Sequence, residues 1–115
     1  VSIKEETIMA GLSCGEPSEM AWKIISEEAS DFITIPDNIV APTVRVLKRP
    51  YGDDPLIEAG ESAVAGLAVL ICAAKQLDLK KKIGLDEKFR VLLIGSEGVT
   101  DREKFTTIME GGKNV

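Results

Sequence analysis

Three short polar turns hold the residues of this chain best suited to chemistry. They are Ala10-Gly11-Leu12-Ser13-Cys14-Gly15-Glu16-Pro17, Gly60-Glu61-Ser62-Ala63 and Gly95-Ser96-Glu97-Gly98-Val99-Thr100-Asp101. Each sets small residues beside an apolar stretch, where backbone can approach a ligand closely. Ser96 offers a hydroxyl that can donate or accept a hydrogen bond. Glu61 offers a carboxylate at the start of an apolar run, where unpaired helix N–H groups would stabilise its charge. A blander reading stands beside each. A serine in a Gly-Ser-x-Gly turn commonly satisfies a loop backbone group, and Glu61 or Ser62 could simply cap the following helix.

What is missing narrows the chemistry further. The chain contains no histidine, which excludes Ser–His and Cys–His dyads within it and removes the commonest metal ligand, so no metal site is expected. Nothing near Cys14 in sequence marks it as a thiol nucleophile. Cys72 lies inside an apolar run and reads as core. The adjacent carboxylates Glu5/Glu6, Glu27/Glu28 and Asp53/Asp54 point apart on regular backbone and read as solvated surface.

These turns need elements to position them, and 115 residues allow one small domain, taken here as residues 1–115. Apolar residues make up 44% and charged residues 29%, a globular rather than a disordered composition. The first residue is Val1 and no signal-peptide pattern follows, which points to an internal cut or processing. The formal net charge is -5, with Lys80-Lys81-Lys82 and Arg45/Lys48/Arg49 the basic clusters. Such a chain is not expected to bind nucleic acid or an anionic membrane. Two cysteines without C-x-x-C spacing make a reducing cytoplasm the expected compartment.

Along the chain, residues 1–8 read as a leading loop and 11–17 as a turn, with Pro17 in the first turn of a helix over about 18–29. Ala21, Ile24, Ile25 and Ala29 would form its apolar face, with Trp22 at the edge. Phe32-Ile33-Thr34-Ile35 reads as a buried strand. A helix capped by Asp37 or Asn38 would run to about Leu47, although Pro42 disturbs it beyond the first turn. Residues 49–55 form a loop rich in turn formers. The run over 63–74, without one polar side chain, predicts a helix that must be surrounded by protein. It is shorter than the roughly 18 residues of a membrane span. A domain this small cannot bury every face of such a helix, so the chain is expected to pack against something else. Residues 80–88 read as a polar connection with Gly84 as a helix stop, and Val91-Leu92-Leu93-Ile94 as a strand buried on both faces. Thr100-Asp101-Arg102-Glu103 has capping-box spacing and opens a last helix to about Met109. Strand, glycine-containing loop and capped helix together make the junction where ligands sit in open α/β sheets. The expected class is α/β, part of a mostly parallel sheet with covering helices.

In wording and order the three turns resemble the carboxyl-terminal third of fold-type-II pyridoxal-phosphate (PLP) enzymes, the superfamily of the tryptophan synthase β subunit. The resemblance runs over about residues 6–112 and is strongest to the ammonia-lyases that act on 2,3-diaminopropionate. It implies PLP as cofactor, an amino-acid substrate, and α,β-elimination of diaminopropionate to pyruvate and ammonia. Ser96 would be the partner of the cofactor's ring nitrogen, unless Gly95 takes that register. Glu61 would face the ring's phenolic oxygen or a substrate amine, and Gly11, Ser13 and Ser62 would line the substrate site. Thr7-Ile8-Met9-Ala10-Gly11-Leu12 is similar to a stretch of threonine dehydratase relatives, but Ala10 stands where they carry Asp. That departure weighs against a serine or threonine dehydratase. Neither the family's cofactor-holding lysine motif nor its glycine-rich phosphate cup is found. The resemblance therefore implies a carboxyl-terminal piece, inactive alone, whose partner is the remainder of the same enzyme, typically a homodimer when intact. The contrasting expectation is a self-sufficient small α/β binding module without catalysis.

Overall fold

A computed structural model describes residues 2–111. Val1, the start of the expected leading loop, and Gly112, the end of the family resemblance, lie outside the described residues.

Five α-helices and three 3-10 turns are the regular elements among the described residues. Helix α1 (Glu19–Glu28) begins where Ser18 caps it, the Ser18 hydroxyl accepting from the Ala21 N–H at 3.4 Å. Pro17 precedes that cap instead of sitting in the first turn as expected. Helix α2 (Val40–Lys48) follows a 3-10 turn (Asp37–Ile39) and carries no side-chain cap. Asp37 does not cap it. The Asp37 carboxylate instead accepts from the Thr7 hydroxyl and from the Ile8 N–H at 2.7 Å, tying the leading segment to α2. Pro42 is harmless because it is the third helical residue, where the N–H has no partner within the helix in any case. Helix α3 (Ala65–Lys75) continues a 3-10 turn (Glu61–Val64). Helix α4 (Leu77–Lys82) takes in the first three residues of what the sequence presented as a polar connection over 80–88. Its three lysines fall in the last turn, where they complement the helix dipole, and Gly84 at φ +72° ends it as expected. Helix α5 (Arg102–Glu110) is capped by Asp101, not Thr100, with the Lys104 N–H donating to Asp101 Oδ1 at 2.9 Å.

The expected α/β class is overturned, because no strand or sheet occurs among the described residues. Phe32-Ile33-Thr34-Ile35 and Val91-Leu92-Leu93-Ile94 have no regular structure. An apolar, β-branched run favours extended backbone, but a strand exists only when a neighbour completes its hydrogen-bond ladder. Here neither run has such a neighbour, and Leu92 and Ile94 stand 87% and 85% exposed.

The core gathers around α2, where Val40 and Val44 are fully buried against Met9, Ala59, Val64, Phe105 and Ile108. Arg45 on α2 donates to the Ile108 carbonyl at 2.9 Å, satisfying a group near the end of α5. Lys48 and Arg102 both pair with Glu58, at 2.6 and 2.9 Å, and so join the segment before the second turn to α2 and α5. The core is small for the chain. The molecule exposes 9057 Å², where a compact monomer of this mass would expose roughly 6,100 Å². Its radius of gyration is 15.3 Å, against roughly 13 Å for a compact domain of this length. The intended apolar face of α1 is uncovered, with Ile24 and Ile25 exposed and Trp22 touching Phe32 at 6.0 Å between ring centres. Helix α3 fully buries only Ala68 and Ala73.

Candidate functional site

The packing of α2 against α3 and α5 draws the three polar turns together. Gly11 lies in a 3-10 turn (Ala10–Leu12), and its N–H donates to the Ser62 hydroxyl oxygen at 3.1 Å. Ser13 follows that turn and holds it through its own N–H, which donates to the Ala10 carbonyl at 3.1 Å. The Gly60 N–H donates to the Glu97 carbonyl at 3.1 Å, and the Ser62 N–H to Glu97 Oε1 at 3.2 Å. A Cβ on Gly95 would fall 2.9 Å from the Ala63 carbonyl oxygen, so only a glycine lets the third turn lie against the second. Three segments far apart in sequence thus meet edge to edge.

Each candidate residue has a definite place in this cluster. Ser96 is exposed and its hydroxyl has no hydrogen-bond partner among the described residues, so it does not serve a loop backbone group. Glu61 is buried, its side chain 11% exposed, with Oε1 3.8 Å from Lys104 Nζ. Neither Glu61 nor Ser62 is a cap residue, because Gly60 holds the cap position of the 3-10 turn and Val64 that of α3. Ser62 commits its oxygen to Gly11. Gly95 contributes backbone alone. Cys14 is exposed and its thiol donates to the Gly11 carbonyl at 4.0 Å.

Two members of the cluster escaped the sequence reading. Glu97 places a carboxylate among all three turns, and Lys104 donates to the Ile8 carbonyl at 3.0 Å while facing Glu61. The only hint of Glu97 in the sequence was its place between Ser96 and Gly98. Lys104 gave none, being one of several charged residues on a surface helix. Two apolar cavities lie away from the turns, one of 230 Å³ between α2 and α3 beside Pro42 and Cys72, another of 380 Å³ beside Ile35 and Val69.

The turns thus carry an uncommitted hydroxyl, Ser96, and a buried carboxylate, Glu61, groups able to hydrogen-bond a polar ligand. Comparison with known proteins gives those groups a context. The chain is 40% identical over 112 residues to "Diaminopropionate ammonia-lyase" of Escherichia coli (strain K12), covering 95% of this chain and 28% of the relative. Its nearly whole length is similar to part of diaminopropionate ammonia-lyase. The Salmonella typhimurium (strain LT2) diaminopropionate ammonia-lyase is 37% identical over 114 residues, again 28% of its length. The chain thus spans between a quarter and a third of the curated relatives it matches. Among solved structures, E. coli diaminopropionate ammonia lyase with an aminoacrylate-PLP azomethine reaction intermediate matches with a TM-score of 0.86 and 41% identity, over 93% of this chain and 29% of that one. The same E. coli enzyme in complex with D-serine matches with a TM-score of 0.83 and 39% identity, over 90% of this chain and 27% of that one. No protein-family model matches the chain. No helix among the described residues is long and apolar enough to cross a membrane.

Proposed function

We propose that this chain is the carboxyl-terminal part of a PLP-dependent ammonia-lyase that converts 2,3-diaminopropionate to pyruvate and ammonia by α,β-elimination. The observation that carries the reading is the convergence of the three turns named by the family resemblance, in a chain 40% identical to curated diaminopropionate ammonia-lyases over 95% of its length. PLP supplies an electron sink for the carbanion left when a substrate loses its α-proton.

The residues present fit one side of such a cofactor. Ser96 has the free hydroxyl, and as a neutral partner of the ring nitrogen it would leave that nitrogen largely unprotonated. Gly95 brings backbone close but no side chain to that position. Glu61, held toward Lys104, would accept a hydrogen bond from a phenolic oxygen or a substrate amine. Gly11, Ser13 and Ser62 would form the substrate wall. The cofactor-holding lysine and the phosphate cup are assigned to the remainder of the enzyme, as is the second subunit of a homodimer. The same remainder would cover the surplus apolar surface on α1, α3 and Val91-Leu92-Leu93-Ile94, and two free cysteines agree with a cytoplasmic enzyme.

A dehydratase-like action on serine or threonine has one specific point in its favour, the solved relative in complex with D-serine, and Ala10 against it. Both readings are tested on the full-length protein by its visible absorption and by pyruvate or 2-oxobutyrate formed from diaminopropionate, serine and threonine side by side. Bound PLP and fastest turnover of diaminopropionate are expected. A colourless protein that releases no oxoacid from any of them overturns the lyase reading in favour of a binding module. This chain alone should show no lyase turnover.

A further inference from the structure

We propose that Glu97 is a positioning residue: it clasps the third turn to the second and so fixes where Ser96 stands relative to Glu61. The inference rests on the lyase reading, since that relative position matters only if the two side chains serve one ligand.

The 3-10 turn at Glu61–Val64 begins with N–H groups that need acceptors. Its cap position is Gly60, which has no side chain to offer. Glu97 supplies what Gly60 lacks, from 35 residues away: Oε1 accepts from the Ser62 N–H at 3.2 Å, and the Glu97 carbonyl accepts from the Gly60 N–H at 3.1 Å. Side chain and backbone of one residue therefore grip two N–H groups on the other turn. A single bond would leave the loop free to pivot; two fix its register and tilt.

The glycines show that the fit is tight. A Cβ on Gly60 would fall 2.3 Å from Glu97 Oε1, and one on Gly11 would fall 2.9 Å from Glu97 Oε2. The carboxylate of the third turn thus lies against both the first and the second. Its neighbour Ser96 is left exposed with an uncommitted hydroxyl, while Glu61, immediately before the gripped Ser62, is buried. An acceptor at residue 97, on an arm of glutamate length, is what the geometry requires; the negative charge is secondary.

The test uses Glu97→Ala, Glu97→Gln and Glu97→Asp in the full-length protein, read three ways: amide hydrogen exchange of the peptide containing Ser62, the visible absorption of bound PLP, and kcat and KM for diaminopropionate. Glu97→Ala should speed exchange at Ser62, shift the absorption band and lower kcat by about 100-fold, the loss a misplacement of about 1 Å can cause, with a smaller effect on KM. Glu97→Gln keeps an acceptor oxygen and should restore exchange, band and most of kcat. Glu97→Asp keeps the charge and the fold but shortens the arm, and should behave like Glu97→Ala. Unchanged Ser62 exchange in Glu97→Ala or Glu97→Asp overturns the clasp. Faster exchange with an unaltered band and kcat overturns the positioning role, and Glu97→Gln as impaired as Glu97→Ala shows that charge, not acceptance, matters. An unmodified protein without a PLP band sinks the lyase reading, and the positioning role with it, while the exchange data still decide whether the clasp exists.

Discussion

Lys104 Nζ lies 3.8 Å from Glu61 Oε1 and donates to the Ile8 carbonyl at 3.0 Å, so one ammonium on α5 reaches both the second polar turn and the segment that leads into the first. Glu61 is nearly out of solvent, whereas the Lys104 side chain is 36% exposed. The stem of the lysine spans the gap and its head stays partly wet. Lys104→Met should keep the stem and remove the charge, leaving Glu61 without a nearby cation and Ile8 with an unpaired carbonyl. The expected loss is about 1.5 kcal/mol, the worth of one charge-assisted hydrogen bond reduced for its exposure. Urea denaturation, with the slope unchanged and the midpoint lowered, would show it. An unmoved midpoint would mean that Lys104 is a surface residue only.

Gly60 and Gly98 border the same carboxylate yet should respond in opposite ways. Gly60 has φ -74°, which any residue adopts, so replacing it costs nothing in backbone conformation. The cost is steric: its Cβ would meet Glu97 Oε1 at 2.3 Å and the Gly98 carbonyl oxygen at 2.5 Å. The second contact is with backbone and cannot be relieved by a side-chain rotation. Gly60→Ala should therefore destabilise by about 2 kcal/mol, within the range of overpacked sites. A Cβ on Gly98 would meet nothing within 4 Å, and Gly98→Ala should stay within about 0.5 kcal/mol of the parent. Equal melting shifts for the two variants would contradict the close approach of the turns.

Acid should loosen the same framework from its edges. The Thr7 hydroxyl and then the Ile8 N–H hold the Asp37 carboxyl below its ordinary pKa. Hydrogen bonds from Lys48 and then Arg102 do the same for Glu58. A folded pKa below the unfolded one gives stability that is fully present above the ordinary carboxylate range and is lost as pH falls through the folded value. The melting temperature should thus be flat near neutrality and decline below about pH 4.5. Asp37→Asn and Glu58→Gln should each lower it at neutral pH and flatten part of the acid decline. A decline of the same depth in both variants would assign the acid sensitivity to other carboxylates.

What the sequence made legible, and what it did not, follows the range of the forces involved. The helix over 18–29 was readable to within a residue or so because its spacing is a local signal, although the cap is Ser18 and Pro17 lies before it. The run over 63–74 announced a helix and α3 forms there, yet within this chain it fully buries only Ala68 and Ala73. Val91-Leu92-Leu93-Ile94 shows the limit: composition records that a segment is to be buried, whereas strand formation depends on a partner whose identity is not written in the segment. Helix α4 was hidden because its lysines looked like a solvated link, although at the carboxyl end of a short helix they complement its dipole. The three turns were found as a group, yet Glu97, the residue that joins them, was not. No local pattern announces that a carboxylate accepts from an N–H 35 residues away.

The uncovered apolar surface gives a prediction that separates this chain from the protein it is proposed to come from. Leu92 and Ile94 are 87% and 85% exposed here, so Leu92→Glu or Ile94→Glu removes almost no buried surface from the chain as it stands. Each should shift its stability by no more than about 0.5 kcal/mol, and added charge should reduce any self-association. In the full-length protein the same side chains would lie against the remainder of the enzyme. A carboxylate forced into such an apolar contact, with no partner for its charge, should cost several times more, about 3 kcal/mol or above. Thermal melts of both variants in both contexts make the comparison. A large penalty only in the full-length protein would place Val91-Leu92-Leu93-Ile94 inside it. Equal, small effects in both would mean that the run stays exposed there too, and that the surplus surface is covered by something other than the rest of the same chain.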